Sequence, residues 1–194
     1  MTGKDTILST SMELFYRNGY TNTGVAEILK SCNLSKPSLY HHFGSKTGLG
    51  FAYLEVMQKE LFSRIQTWVQ KRNSLQEYLD KWLQHIKRSI KQGTFYGCPF
   101  ASFSYQLSQK DMQIFSPKMQ QIMQDWLDIL TSFIKKLQVN GLVRHDCTAK
   151  DIAFDMLSIY QGNVTLWKLT QSKTPIQAME RQFQNLNQKV SIIL

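Results

Sequence analysis

Hydrophobic positions recur with helical spacing along most of this sequence. The first stripe lies on one face of a helix and consists of Ile7, Leu8, Ser11, Leu14 and Phe15. Gly19 is a suitable end for this helix, because glycine readily takes the left-handed conformation found at helix ends. No segment alternates with the two-residue period of a strand. The pattern predicts an all-α protein with about nine helices.

Two short helices are predicted next, joined by a tight turn. The first runs from about Gly24 to Cys32, and the turn contains Asn33, which tolerates a positive φ better than most residues. Ser35 is a candidate cap for the second helix, and Gly44 is its expected end. A short helix, a tight turn and a second short helix, braced by the first stripe, form the helix-turn-helix pattern.

Longer helices are predicted over the remainder of the chain. Three of them are expected over residues 47–71, 75–91 and 99–108, and the second begins with a capping box of Ser74 and Glu77. A further helix is opened by Ser116-Pro117 and ended by Gly141. The next helix is capped by Thr148 and Asp151, and the last begins at Thr174-Pro175. The last helix carries an apolar seam formed by Ile176, Met179, Phe183, Leu186 and Val190. We favour an interface between two copies of the chain for this seam, because nearby positions are polar. Packing within one chain is the alternative.

The formal charge of +9 favours a polyanionic partner, but the charge is unevenly distributed. Residues 1–60 hold six Lys/Arg against five Asp/Glu, whereas residues 61–93 hold seven against two. Residues 1–60, which include the helix-turn-helix, therefore carry a net charge of only +1, and local chemistry has to support any DNA-binding role. A solvated surface is the alternative explanation of the basic charge.

Several other classes of protein lack support in the sequence. The N-terminal residues show no apolar run behind a basic start, and the long uncharged stretch 92–109 is too polar to span a bilayer, so we expect a cytoplasmic protein. Three cysteines without a CxxC pair and four histidines without ligand spacing predict no disulfide framework, metal site or cofactor. The segment 44–47 lacks the upstream glycine and the strand of a phosphate-binding loop, so we expect no enzyme.

The string SKPSLYHHFGSKTGL, directly followed by a long amphipathic helix, closely resembles the tetracycline-repressor (TetR) family. The resemblance implies a helix-turn-helix DNA-binding domain over residues 1–46 and a helical ligand-binding and dimerisation domain over residues 47–194. It also implies a transcriptional regulator, a repressor, that binds a palindromic operator in double-stranded DNA as a homodimer through its last two helices. An apolar or electrophilic small-molecule inducer would release it, and no membrane partner is expected.

Two positions depart from the family pattern at the start of the second helix. Gly24 and Ala26 stand where many members place a threonine and an arginine, so Thr23 is the expected substitute cap and DNA contact. These departures give some support to an alternative function, a helical ligand-binding or protein-interaction module that has lost specific DNA binding.

The resemblance assigns side chains of the third helix, and the lysine that opens the fourth helix, to DNA. Those expected to face base edges are Lys36, Pro37, Ser38 and His41. Those expected to hold phosphates are Tyr40, His42 and Lys46. The alternative for Tyr40 and His42 is packing, and the alternative for Lys46 is a solvated lysine at a helix start. Lysine donates to guanine O6 and N7, a proline ring meets a thymine methyl, and hydroxyl and ammonium groups donate to phosphate oxygens.

Aromatic and methionine residues are abundant in the second half of the chain, and the resemblance implies a small-molecule pocket there. Candidate lining residues are Trp82, His85, Cys98, Phe103, Met123, Trp126, Tyr160, Asn163 and Trp167. The alternative for most of them is ordinary core packing.

Cys98 is also a candidate redox sensor. It precedes a short predicted helix, and a helix N-terminus favours the reactive thiolate. The Gly-Cys pair resembles an electrophile- and oxidant-sensing branch of the family, in which a lysine on the eighth helix lies near the cysteine; Lys168 holds the similar place. A small buried packing residue is the alternative and the favoured interpretation.

Overall fold

Residues 2–192 are described by the structure, a computed structural model, and within them the chain forms nine α-helices. These are α1 (Gly3–Asn18), α2 (Val25–Cys32), α3 (Lys36–Phe43), α4 (Lys46–Lys71), α5 (Leu75–Lys91), α6 (Pro99–Ser104), α7 (Gln109–Val139), α8 (Ala149–Thr170) and α9 (Thr174–Val190). The β pairing found in this range is one isolated antiparallel bridge between Val143 and Ser191. The predicted all-α class is confirmed. None of the described helices has the length and apolar character needed to cross a membrane.

The chain divides into two compact units. Unit 1 contains α1 to α3, α4 as far as Leu61, and residues Cys98–Gln120; unit 2 contains Phe62–Gly97 and the chain from Gln121 onward. These units group the chain by packing, whereas the division at residue 46 concerns function and stays a prediction.

The core of unit 1 is built around the ring of Tyr20. Its centroid lies 5.2 Å from that of Phe15, 4.8 Å from that of Phe103 and 5.4 Å from that of Phe115. A Cβ at Gly50 would stand 2.9 Å from an atom of Tyr20 and from an atom of Phe115. The α4 backbone therefore approaches these rings closely because position 50 has no side chain.

The apolar seam of α9 lies inside unit 2. Its five residues are at most 7% exposed in the single chain, and α9 packs against α8 and α5. The prediction that this seam forms the interface between two copies is wrong. A spacing of three and four residues identifies a face that is buried, but it does not identify what covers that face.

The start of α7 also differs from the prediction. The helix begins at Gln109 instead of Ser116, because the Ser108 hydroxyl accepts a hydrogen bond from the Asp111 N–H at 3.1 Å and caps an earlier start. Pro117 therefore lies inside the helix, where its missing N–H removes one backbone bond. The preceding helix α6 correspondingly ends at Ser104, not near residue 108.

Two predicted caps are only partly present. Ser35 occupies the cap position of α3, but its side chain makes no capping hydrogen bond. The Ser74 hydroxyl accepts from the Glu77 N–H at 3.2 Å, while the Glu77 carboxylate accepts from the N–H of Asn73 instead of Ser74. α3 therefore starts without a side-chain cap, whereas α5 starts with one of the two hydrogen bonds of a capping box.

Candidate nucleic-acid interface and ligand region

The turn between α2 and α3 has the predicted conformation. Asn33 takes a left-handed conformation with φ of 52°, and the N–H of Leu34 donates to the Leu29 carbonyl at 3.1 Å. α3 then runs from Lys36 to Phe43, as predicted, and Gly44 follows with φ of 70°. Leu39 is completely buried, and α3 packs against α1 and α2. We call α3 the reader helix.

The outer surface of the reader helix is polar and accessible. Lys36, Pro37, Tyr40 and His41 are exposed, and Ser38 and His42 are partly exposed. The Lys36 ammonium lies 5.9 Å from the centroid of the Tyr40 ring, one helical turn further on. Four side chains of this helix that are predicted to contact DNA are therefore accessible to a partner.

The first turn of α1 borders the reader helix. A Cβ at Gly3 would lie 3.6 Å from the Ser38 hydroxyl oxygen and 3.7 Å from His42 Nε2. The N-terminal end of a helix carries a partial positive charge that favours anions. Phosphate oxygens beside His42 would therefore also benefit from the dipole of α1.

Lys46 occupies a more enclosed position than expected for a phosphate contact. Its ammonium lies 4.6 Å from the centroid of the Tyr20 ring and donates to the Thr21 carbonyl at 3.4 Å. Desolvation lowers its pKa, and the carboxylate of Asp111 partly offsets that effect. This lysine ties the start of α4 to the turn after α1, and its phosphate role stays a prediction.

Thr23 does not have the predicted role. Its side chain is completely buried, and its hydroxyl donates to the Gly19 carbonyl at 2.8 Å. Gly24, not Thr23, occupies the cap position of α2, and no side chain caps this helix. A buried hydroxyl bonded to a carbonyl inside the fold is not available to DNA, and the prediction that Thr23 contacts DNA is wrong.

Four aromatic side chains meet in the interior of unit 2. The Trp82 ring centroid lies 4.9 Å from that of Tyr160, 6.1 Å from that of Trp126 and 5.7 Å from that of Phe183. We call these four residues the aromatic cluster. Each of the four is at most 5% exposed. The structure thus brings together three of the residues predicted to line a ligand pocket.

The other predicted pocket residues lie elsewhere. Phe103 belongs to unit 1, where its ring stacks on Tyr53 with centroids 5.8 Å apart, so it is not part of the aromatic cluster and its ligand role stays a prediction. Met123 is 37% exposed, which is unlike a pocket-lining residue. Trp167 contacts Phe95, with ring centroids 5.1 Å apart. Asn163 is buried and donates to the Gln182 side-chain oxygen at 2.6 Å.

His85 lines a cavity of about 170 Å³ within unit 2. Arg64 Nη1 lies 2.9 Å from His85 Nε2, and since a guanidinium has no acceptor, the imidazole nitrogen must accept. Burial lowers the His85 pKa to about 4, with further lowering by Arg64, Lys81 and Arg88. We call this the basic cavity; its lining residues are Arg64, Trp68, Lys81, Gln84, His85 and Arg88.

The two redox candidates lie in different units. Cys98 is in unit 1, is 2% exposed and occupies the cap position of the six-residue helix α6. Lys168 is in unit 2 and is exposed near the end of α8. Cys98 contributes to raising the pKa of Tyr53, after burial and Tyr16. The burial of the thiol agrees with the packing interpretation, and its reactivity stays a prediction.

Sequence reasoning missed several residues of interest. Arg64, Lys81 and Arg88 converge on one cavity, and the charge excess over residues 61–93 was the available signal. Tyr78 was also missed: its hydroxyl is completely buried without a hydrogen-bond partner, and burial raises its pKa. Its ring lies 5.9 Å from that of Trp82, so this polar atom belongs to the surroundings of the aromatic cluster.

Comparison with known proteins supports the interpretation of the helix-turn-helix. The family described as "Bacterial regulatory proteins, tetR family" matches residues 7–53, and "Tetracyclin repressor-like, C-terminal domain" matches residues 71–183. The chain is 26% identical over 141 residues to the HTH-type transcriptional regulator QacR of Staphylococcus aureus, with 73% of both chains covered.

Solved structures share the whole fold. The crystal structure of the reduced form of Escherichia coli NemR has a TM-score of 0.80 at 21% identity and covers 97% of both chains. A cysteine mutant of the TetR family regulator CifR, complexed with a 26 bp operator, has a TM-score of 0.78 at 17% identity and covers 93% of this chain and 95% of the other.

A helix-turn-helix with an accessible reader helix, followed by an all-helical region, defines a DNA-binding transcriptional regulator. The second family match covers more than half of the chain, and the protein belongs to the TetR family of regulators.

Proposed function

We propose that this regulator is a repressor that binds a palindromic operator as a homodimer and is released by a small-molecule inducer. The observation that carries the proposal is the reader helix: Leu39 fixes its inner face, while Lys36, Tyr40 and His41 are exposed on its outer face. Lys36, Pro37, Ser38 and His41 contact base edges. Tyr40, His42 and Lys46 hold phosphates.

The DNA role is tested by binding to the duplex that flanks the protein's own gene, from about 50 to 200 mM salt. We expect a negative slope of log affinity against log salt, because phosphate contacts release counterions. Tyr40→Phe combined with Lys46→Ala should weaken binding and make the slope shallower, whereas Lys59→Ala, an exposed lysine on α4, should not. Unchanged affinity in the double variant contradicts the assigned phosphate contacts.

The homodimer uses the outer face of α8, since the α9 seam is already buried. Phe154, Leu166 and Leu169 are 56%, 51% and 76% exposed, an unusual apolar content for a solvated helix. Two copies of α8 and α9 would form a four-helix interface that sets the spacing of two reader helices.

Sedimentation of the pure protein tests this interface. Phe154→Asp with Leu166→Asp should convert a dimer into a monomer, because two carboxylates per subunit would be buried. Val139→Asp places the same charge on a residue that is 82% exposed at the end of α7, and it should remain a dimer. A monomeric wild-type protein at micromolar concentration overturns the dimer.

The inducer binds at the aromatic cluster. Trp82, Trp126 and Tyr160 offer apolar surface, and the unpaired Tyr78 hydroxyl offers a nearby polar partner. A ligand there alters α4, which begins three residues after the reader helix ends, and so changes the spacing of the two readers. Binding is measured through tryptophan fluorescence, and Tyr160→Phe should keep the fold and alter inducer affinity.

A thiol reaction at Cys98 is the second proposal for release, and the packing role that the burial of Cys98 supports is its alternative. The Cys98 sulfur would form a bond to one carbon of the double bond of an electrophile such as N-ethylmaleimide. The thiol proton would be transferred to the other carbon of that double bond. Loss of the response in Cys98→Ser, with Cys32→Ser and Cys147→Ser unaffected, supports the sensor. A retained response in Cys98→Ser ends it.

A helical interaction module without specific DNA binding is the remaining alternative. It rests on Gly24 and Ala26, which offer no polar side chain to a phosphate or a base. Salt-independent binding to the flanking duplex, with a protein partner recovered instead, would favour it.

A further inference from the structure

The basic cavity carries a concentration of positive charge that the DNA-binding role does not use. It is lined from one side by Arg64 and Trp68 of α4 and from the other by residues of α5. Arg64, Lys81 and Arg88 are three of the seven basic residues in the segment 61–93, which has only two acidic residues. Part of the positive charge of segment 61–93 is thus concentrated at one concave site.

The three cations of the basic cavity are not neutralised by neighbouring carboxylates. The ion pairs described within residues 2–192, Lys87–Glu180 and Arg144–Asp146, involve none of them. Lys81 instead donates to the Gln84 side-chain oxygen at 3.3 Å, and Arg64 donates to His85. Cations brought together without a counter-charge repel one another, so the arrangement favours an anion.

The flat walls of the basic cavity add a preference for an aromatic ring. The rings of Trp68 and His85 lie with centroids 5.4 Å apart, and both line the cavity. His85 is neutral, because its Nε2 accepts from Arg64, so its ring adds no further charge beside the guanidinium groups. The cavity opens to solvent, since Arg64, Gln84 and Arg88 are exposed, and its volume of about 170 Å³ leaves room for one small ring.

We propose that the basic cavity is a binding site for a small aromatic carboxylate. The carboxylate lies against the guanidinium groups of Arg64 and Arg88, which match its two oxygens in the planar paired geometry that arginine favours. The aromatic ring lies against Trp68. Lys81 adds long-range attraction. A duplex phosphate backbone is the competing occupant, but three cations that converge on a concave, ring-lined space suit a small ligand better than an extended polyanion.

Calorimetric titration of the intact protein without DNA tests the proposal, with benzoate as the probe and its neutral isostere benzamide as the control ligand. Benzoate should bind saturably with a dissociation constant of roughly 1 mM, as expected for a small ligand. Benzamide should bind at least about tenfold more weakly, because it lacks the charge that pairs with arginine. In ring-carbon NMR, benzoate should shift the His85 resonances more than those of His41, His42 and His145.

Variants locate the binding. Arg64→Gln with Arg88→Gln should reduce benzoate affinity by about tenfold per guanidinium. Lys71→Gln with Lys91→Gln removes the same charge from exposed positions of α4 and α5 outside the cavity lining, and affinity should stay within about twofold. Thermal unfolding verifies that both double variants fold.

Three results overturn the proposal. They are the absence of saturable benzoate binding to the wild type, equal affinity for benzoate and benzamide, and unchanged affinity in the Arg64/Arg88 double variant. Displacement of benzoate by a random-sequence duplex would assign the cavity to nucleic acid and overturn it as well. Because the calorimetric titration contains no DNA, its result is independent of whether the protein is a repressor.

Discussion

The reader helix differs from the two candidate ligand sites of unit 2, the aromatic cluster and the basic cavity, in how its residues are brought together. The reader helix places its proposed contacts within eight consecutive residues, in a part of the chain, residues 1–60, whose net charge is only +1. The aromatic cluster draws Trp82, Trp126, Tyr160 and Phe183 from four different helices, and the basic cavity draws its charge from two. The proposed DNA contacts therefore depend on local side-chain chemistry, whereas the two proposed ligand sites depend on tertiary packing.

The largest expected effect comes from the inner face of the reader helix. Leu39 is completely buried, so Leu39→Ala should lower the free energy of unfolding by about 2 to 5 kcal/mol through lost burial and a cavity. Val139→Ala, at an 82% exposed position, should change it by less than about 0.5 kcal/mol. Chemical denaturation followed by circular dichroism gives both values. Equal effects of the two substitutions would show that the reader helix is not anchored by Leu39.

The packing of α4 in unit 1 is tested by Gly50→Ala. The new methyl group would meet the rings of Tyr20 and Phe115 at 2.9 Å, and relieving that overlap should cost about 1 to 3 kcal/mol of stability. Gly162 on α8 has open space around the same position and serves as the control. A more stable Gly50→Ala variant would mean that α4 adjusts its position at no cost.

A substitution at the start of α2 tests whether operator binding by the helix-turn-helix can be strengthened. A Cβ at Gly24 meets no atom within 4 Å, and its φ of −80° suits any residue. Gly24→Thr should supply the missing side-chain cap, worth a few tenths of a kcal/mol, and a hydroxyl for a phosphate. Operator affinity should rise by about two- to fivefold in a gel-shift titration, with ligand binding unchanged. Weaker operator binding would indicate that this helix end does not approach DNA.

The pH dependence of stability provides a test in unit 2. The pKa of His85 lies near 4 in the folded chain, below its ordinary value of 6.5, because of burial and of the charges on Arg64, Lys81 and Arg88. Between these two values the unfolded chain binds more protons, so the contribution of His85 to stability is present above about pH 6.5 and is lost as the pH falls through 4. His85→Gln should therefore lose less stability than the wild type between pH 7 and pH 4. Parallel pH profiles of unfolding for the two proteins would contradict the lowered pKa.

The same contrast explains what the sequence predicts and what it does not. The bounds of the reader helix are predictable because Asn33 and Gly44 act on their own immediate backbone, where both take a positive φ. The burial of Thr23 is not predictable, since its hydroxyl bonds back to Gly19 and a polar residue at a helix start looks like a cap. The start of α7 at Gln109 was not predicted, because Ser116-Pro117 has the pattern of a helix start, while the cap that the structure uses, Ser108, lies further upstream.

Contacts between distant parts of the chain limit how much of the candidate sites can be predicted from the sequence. The α9 seam has the spacing of an interface, but α5 and α8 of the same chain cover it. Phe103 has the composition of a pocket residue, yet α6 belongs to unit 1. In both cases the pattern predicts burial correctly, while the partner is decided by the path of the whole chain.

The central claim, that the reader helix recognises operator sequence, is tested most directly by selecting bound sequences from a random duplex pool. The wild-type protein should enrich one palindromic motif, and Lys36→Ala with His41→Ala should lose discrimination at the contacted base pairs by about 1 to 3 kcal/mol each while keeping salt-dependent binding. Enrichment of the same motif with the same strength by the double variant would contradict the claim.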